Sequence, residues 1–121
     1  MRASTHLLAE ATSAGAARRF VSTTLVSWGV AKTTDMVTLL VSELVTNSLL
    51  HARSVMDVAV EMNDETVRVT VEDRSPAMPV LLELDDSTLT GRGLTLVDAY
   101  ADRWGVEPHA AGKAVWFEIP A

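Results

Sequence analysis

Three polar side chains, those of Glu43, Asn47 and His51, recur at every fourth position of one stretch of the chain. In a helix, at roughly 100° per residue, this spacing places them on one side. The positions that flank this stripe are apolar: Met36, Leu39, Leu40, Leu44 and Leu50. Burying a neutral polar group without a partner costs about 2–7 kcal/mol, and a charged group costs more, so we expect another polar group to meet the stripe.

Each side chain of the stripe suits a different chemistry. The Glu43 carboxylate could orient or deprotonate a water or a hydroxyl, and the Asn47 amide oxygen is a ligand that Mg²⁺ accepts. Asn47 could equally satisfy a neighbouring loop. His51 lies near the C-terminus of the predicted helix, where a structural cap that interacts with the helix dipole is the simpler interpretation. The alternative, a metal site that combines His51 with carboxylates, lacks ligand spacing beyond this one helix.

A second polar feature is Asp73, at the end of a predicted strand over residues 66–73. The valines of this strand alternate with polar residues, and the period of two places Asp73 with the valines on the covered face of the sheet. The carboxylate could bind a ligand there, or it could accept hydrogen bonds from backbone N–H groups.

A third feature is the pair Gly91 and Gly93, just before a predicted helix over residues 94–102. Glycine permits a close approach of the backbone, and the unpaired N–H groups at a helix start suit a phosphate. The same pair is also typical of a simple turn, so it indicates a phosphate site only in combination with other features.

The elements that position these side chains follow from the spacing of apolar residues. Residues 1–10 suit either an edge strand around residues 5–8 or a disordered lead. In chain order we then predict helices over 12–28 and 33–52, strands over 55–62 and 66–73, a loop over 74–90, a helix over 94–102, and a hairpin of strands over 104–107 and 113–119. Gly29 is placed to end the first helix, and Thr33 or Thr34 can cap the second. A loop as long as 74–90 is usually functional, and we expect a lid there.

Composition excludes several classes of protein. The 121 residues suit a single domain over positions 1–121, and 48% hydrophobic with 21% charged residues is ordinary for a globular chain. The absence of cysteine excludes disulfides and thiolate metal sites. A net charge of −6 opposes direct binding of nucleic acid. No apolar run approaches the roughly 18 residues of a membrane span, and a signal-peptide core is missing, so we expect a cytoplasmic protein without a membrane partner.

The order of these motifs resembles the histidine-kinase-like ATPase (GHKL) family, which has the Bergerat nucleotide fold, over nearly the whole chain. SELVTNSLLHA is similar to the family's N box, VEDRSPAMP to its first glycine box, and TGRGLTLVDAYADRWGV to its second. Within the family, the chain looks most like the small stand-alone bacterial anti-sigma factors that have serine kinase activity.

The resemblance implies an α+β fold, a two-layer α/β sandwich in which helices cover one face of a mixed sheet, with ATP and Mg²⁺ as cofactors. It implies that Glu43 is the general base, that Asn47 is the Mg²⁺ ligand, and that Asp73 binds the adenine amino group. The first glycine box contributes Ser75, and the second contributes the backbone that wraps the phosphates: Thr90, Gly91, Arg92, Gly93 and Leu94. The implied partners are an anti-anti-sigma (STAS-type) protein, whose serine is phosphorylated, and a sigma factor. The sequence leaves the oligomeric state open, with a homodimer among the alternatives.

Three positions depart from the family pattern. Ser75 and Leu89 stand where glycines are usual, and Ala114 stands where a hydroxyl often helps to hold the adenine-side aspartate. These changes bear on nucleotide affinity more than on fold. Leu89 and Ala114 support an alternative function, a catalytically inactive, nucleotide-gated module that binds protein through the acidic loop or through a surface around Arg18 and Arg19.

Overall fold

The computed structural model describes residues 1–75 and 92–121. The described residues form, in chain order, β1 (Arg2–Leu7), α1 (Ser13–Ser27), α2 (Thr34–His51), β2 (Met56–Asn63), β3 (Thr66–Asp73), α3 (Arg92–Tyr100), β4 (Arg103–His109) and β5 (Gly112–Pro120). Every strand and helix predicted from the sequence is present, with ends shifted by at most three residues. None of these described helices combines the length and the hydropathy of a membrane span.

Some predictions fall on residues 76–91 and therefore lie outside the described part of the chain. They concern the predicted lid, apart from its first two residues, and three positions of the second glycine box: Leu89, Thr90 and Gly91.

The strands form one sheet in the order β1-β2-β3-β5-β4. The predicted α+β architecture is confirmed, but the four described pairings are all antiparallel, which differs from the mixed sheet that the resemblance implies. The connections explain the difference. Two helices separate β1 from β2, so the chain returns in the opposite direction. β3 and β4 do run in the same direction, but β5 lies between them and pairs with both.

One apolar core lies between the helices and one face of the sheet. Alternate residues of the strands project into it, as predicted: Met56, Val58, Val60, Val67, Val69, Val71, Val115, Phe117 and Ile119. The first two helices contribute Ala17, Val21, Leu25, Val37, Leu40, Val41, Leu44 and Val45. Full burial of a large apolar side chain is worth about 1.5–3 kcal/mol, so this core determines how α2 lies across the sheet.

The helix ends agree with the sequence at one place and differ at another. α1 is followed by Gly29, which has a φ of 78° and ends the helix as predicted. The predicted side-chain cap of α2 does not form. Thr34 Oγ1 donates to the carbonyl of Val30 at 2.8 Å, and Thr33 Oγ1 is buried without a hydrogen-bond partner among the described residues. Thr33 has φ −102° and ψ 3°, outside the β region that a capping side chain typically needs.

Candidate functional site

The centre of the candidate site is the carboxylate of Asp73, at the end of β3. Its side chain faces the covered side of the sheet, as the period of two predicts, and the residue is only 1% exposed. In the pairing of β3 with β5, Asp73 lies directly opposite Lys113. Lys113 is itself only 4% exposed, so a buried carboxylate meets a buried ammonium.

Donors of the chain surround this carboxylate. Lys113 Nζ lies 2.9 Å from Oδ2 and 3.1 Å from Oδ1. The Ser48 hydroxyl donates to Oδ2 at 3.2 Å, and the backbone N–H of Ser75 donates to Oδ1 at 3.0 Å. An ionised carboxylate has about four acceptor positions, two on each oxygen, so its hydrogen-bonding capacity is used.

The structure corrects the role expected for position 114. Ala114 pairs with Glu72 rather than with Asp73, and successive residues of a strand point to opposite faces. Position 114 therefore does not share a face with the carboxylate, and Lys113 contacts it instead. A signal for Lys113 was present in the sequence, since it has the same parity as the inward residues Val115 and Phe117.

Ser48 is the second residue that the sequence reasoning missed. It lies on α2, directly after Asn47, and is 8% exposed. The signal was its position four residues after the core residue Leu44, which places both on the buried side of the helix. Its hydroxyl joins α2 to the end of β3 through Asp73.

A glycine holds the two strands close beside this ion pair. A Cβ atom on Gly112 would overlap the carbonyl oxygen of Asp73 and crowd the Cα of Arg74. A side chain at this position would force β5 away from the end of β3. Gly112 thus keeps Lys113 within reach of the carboxylate.

The backbone after Asp73 is anchored from a second direction. The Arg74 N–H donates to the Ser54 hydroxyl at 3.0 Å. The Arg74 guanidinium pairs with Asp57 at 3.3 Å and with Glu72 at 3.5 Å, on the sheet face that the helices leave open. Arg74 is therefore held through its backbone by the connection before β2 and through its side chain by the open face of the sheet.

The predicted stripe of α2 behaves differently. Glu43 and Asn47 are half-buried, one helical turn apart, and their side chains make no hydrogen bond or ion pair with any residue that the structure describes. His51 is exposed in the last turn of α2, and its side chain makes no hydrogen bond or ion pair with a described residue. Within residues 1–75 and 92–121, no three or more His, Asp or Glu side chains are arranged as metal ligands.

The start of α3 supplies the remaining predicted residues. Arg92, Gly93 and Leu94 form its first turn, and the helix packs against α2. The first N–H groups of a helix lack partners within the helix and can bind an anion. The helix begins two residues earlier than predicted, so Gly93 lies within its first turn and not before it. Thr90 and Gly91 lie outside the described residues, and the phosphate site stays a prediction.

A family model for the histidine kinase-like ATPase domain matches residues 7–119. The chain belongs to this family. The histidine kinase domain from the blue-light activated histidine kinase of Erythrobacter litoralis EL346 is 31% identical, over 74% of this chain and 45% of that one, with a TM-score of 0.55. A second structure, of the Erythrobacter litoralis EL346 blue-light activated histidine kinase, is also 31% identical, over 74% of this chain and 31% of that one, with a TM-score of 0.52. This chain spans less than half the length of either, and no curated protein matches it.

Membership of the histidine kinase-like ATPase family implies an ATP-binding domain, typically one that uses Mg²⁺. The residues present fit this implication in type. A buried carboxylate is an acceptor for a base amino group, and the amide oxygen of Asn47 is a suitable ligand for Mg²⁺. The fit requires one of the donors around Asp73 to withdraw, because these donors already occupy the acceptor positions of its carboxylate.

Proposed function

We propose that this histidine kinase-like ATPase domain is a bacterial anti-sigma factor that uses Mg²⁺ and ATP to phosphorylate a serine or threonine of an anti-anti-sigma (STAS-type) partner. In this proposal the domain also binds a sigma factor, and phosphorylation of the partner decides which of the two it holds. The likeness of SELVTNSLLHA to the family's N box, in a chain that looks most like the small stand-alone branch, supports this assignment.

The observation that carries the proposal is the state of the α2 stripe. Glu43 and Asn47 are half-buried and make no hydrogen bond to the described residues, although they lie on the helix whose Ser48 binds Asp73. The Glu43 carboxylate offers acceptors, and the Asn47 amide offers an acceptor and two donors, so both remain available to a ligand. Their lack of partners among the described residues is what a site for an external ligand requires.

The proposed chemistry assigns one task to each residue. Asn47 would hold Mg²⁺ through its amide oxygen, and the metal would neutralise phosphate charge when bound. Glu43 would accept the proton of the partner's hydroxyl as that oxygen bonds to the γ-phosphorus and the bond to the ADP oxygen breaks. Asp73 would accept a hydrogen bond from the adenine amino group. Phosphoryl transfer asks little more of a protein than such positioning and charge stabilisation.

The test combines binding and transfer. Calorimetry with ATP, with and without Mg²⁺, measures affinity, and γ-labelled ATP measures transfer to purified STAS-type proteins and hydrolysis in their absence. We expect binding that Mg²⁺ strengthens, and label on a serine or threonine of one partner. A chain that binds Mg²⁺-ATP but neither labels any partner nor hydrolyses ATP would not be a kinase.

That outcome would favour the second candidate function, a nucleotide-gated module that binds protein without catalysis. One observation supports it specifically. The Asp73 carboxylate is held by Lys113 and Ser48, so occupation by a nucleotide would require these contacts to rearrange. Because these contacts connect α2 with β5, their rearrangement could change how the domain binds a protein partner even without phosphoryl transfer.

A further inference from the structure

We infer that Lys113 sets the nucleotide affinity of this site, because its ammonium holds the carboxylate that the nucleotide base needs. The inference rests on the proposed function, in which the base amino group binds Asp73. It concerns a residue that the family pattern does not assign, on the strand opposite the aspartate.

The first step is the count of acceptor positions. Oδ1 of Asp73 accepts from Ser75 N and Lys113 Nζ, and Oδ2 accepts from Ser48 Oγ and Lys113 Nζ. An ionised carboxylate offers about two positions on each oxygen. A base amino group can therefore bind only if one of these donors withdraws.

The second step identifies which donor decides. Ser48 and Ser75 each bond one oxygen, whereas Lys113 lies within 3.1 Å of both. Whichever oxygen the base approaches, it meets the ammonium. The ammonium is also the strongest competitor, since its full positive charge adds a Coulombic attraction to the carboxylate that a neutral amino group lacks.

The third step is burial. The side chains of Lys113 and Asp73 are 6% and 1% exposed, so water screens their attraction little. The apparent dissociation constant of a ligand equals its intrinsic value divided by the fraction of molecules that are competent to bind. If the ion pair is open in about one molecule in ten, ATP binds about tenfold more weakly than the same site would bind it without the lysine.

The experiment compares Mg²⁺-ATP affinity by calorimetry in the parent chain, Lys113→Thr, Lys113→Gln and Ser48→Ala, all at the same pH. Threonine suits a strand and cannot reach as far as lysine, and glutamine keeps a neutral donor. We expect Lys113→Thr to bind about tenfold more tightly than the parent, and we expect Lys113→Gln and Ser48→Ala, which each leave part of the donor set in place, to gain less than Lys113→Thr. Circular dichroism and thermal unfolding establish that each variant is folded before it is titrated.

The outcomes separate this inference from the proposed function. If the parent and a folded Lys113 variant bind ATP equally well, or the variant binds more weakly, Lys113 only neutralises the buried carboxylate and the inference is wrong. Tighter binding by Ser48→Ala alone would mean that the hydroxyl is the donor that withdraws, which also overturns it. If both Lys113 variants unfold, the ion pair of Lys113 with Asp73 is required for folding, and the inference that Lys113 competes with the nucleotide base is rejected. If no folded form binds ATP, the proposed function fails as well.

Discussion

The two ends of the candidate site are built in opposite ways. At the strand end, Asp73 is buried and every acceptor position of its carboxylate is used by the chain itself. On α2, Glu43 and Asn47 are half-buried and make no hydrogen bond or ion pair with the described residues. The strand end of the site is thus tied into the fold by hydrogen bonds and an ion pair, whereas the polar side chains at the α2 end make no such contacts with the described residues.

This difference predicts which substitutions should change the stability of the fold. Removal of one partner from a buried ion pair leaves the other charge without compensation, which is costly. Removal of a half-buried side chain that makes no such contacts changes little in the folded state. Substitution of Asp73 should therefore alter both unfolding and binding, and substitution of Glu43 or Asn47 should alter binding or catalysis only.

The largest expected effect is that of Asp73→Ala. We expect it to abolish ATP binding and to lower the free energy of unfolding by about 3–5 kcal/mol, because it leaves the ammonium of Lys113 buried and unpaired. Urea denaturation and calorimetry measure the two effects. In the double variant Asp73→Ala/Lys113→Met, most of the stability should return while binding stays absent. If the double variant is no more stable than the single one, the ion pair does not explain the loss.

Glu43→Gln tests the other end. Glutamine keeps the size and hydrogen bonding of the side chain but removes the base, so we expect phosphoryl transfer to fall by about 10² to 10⁴. ATP affinity should stay within a few fold, and the urea midpoint should not move. Label transfer to the STAS-type partner and nucleotide titration measure these quantities. Thr46→Ala, at an exposed position of the same helix, is the matched control. Transfer at the parent rate by Glu43→Gln would remove Glu43 from the catalytic role.

Asn47→Ala sharpens the comparison, because it should separate affinity from stability. A lost contact to a charged group is worth about 1.5–3 kcal/mol, which corresponds to about tenfold or more in Mg²⁺-ATP affinity. The free energy of unfolding should change by no more than about 0.5 kcal/mol. Titrations with and without Mg²⁺ locate the loss, which should disappear when the metal is left out. A similar loss in both would mean that Asn47 contacts something other than the metal.

Gly112→Ala tests the close approach of β5 to β3. The added methyl group would overlap backbone atoms of Asp73 and Arg74, which cannot move aside as a flexible side chain can, so we expect a loss of about 1–3 kcal/mol in unfolding free energy. Gly15→Ala in α1 is the control, because its Cβ would meet only the ends of arginine side chains. That control should gain about 0.5–1 kcal/mol, since alanine is the better helix former. Equal losses in both variants would contradict the proposed crowding.

The same comparison shows how far the sequence alone predicts the molecule. Periodicity within one element was sufficient for the strands and helices, for the inward position of Asp73, and for the shared face of Glu43 and Asn47. It was insufficient for Lys113, because the partner of Asp73 depends on the register between β3 and β5, which lie 40 positions apart along the chain at this pair. A lysine is rarely buried, so its inward parity carries little weight until its partner is known.

Two other misses have similar causes. The antiparallel pairing depends on β5 lying between β3 and β4, which is a property of the whole sheet and not of any single segment. The missing cap of α2 depends on the backbone angles of Thr33, although the residue type is a good one for capping. In both cases the local preferences of the residues agree with the structure, but the strand directions and the missing cap depend on the three-dimensional arrangement.

The smallest expected effect is that of Arg74→Ala, at the edge of the strand end. Its ion pairs with Asp57 and Glu72 lie on the open face of the sheet, where all three side chains are more than a third exposed. Exposed pairs of this kind are worth about 0–1 kcal/mol, and salt weakens them further. We therefore expect a loss of less than about 1 kcal/mol in urea denaturation at low salt, and less still in high salt.

The backbone N–H of residue 74 keeps its bond to Ser54 in this variant, so the segment after Asp73 should hold its place and ATP affinity should change by no more than a few fold. Ser54→Ala, which removes that acceptor, is the matched comparison, and it should weaken ATP binding more than Arg74→Ala does. If Arg74→Ala has the larger effect on affinity at low and high salt alike, the guanidinium contributes to the site itself, and the boundary of the strand end extends onto the open face of the sheet.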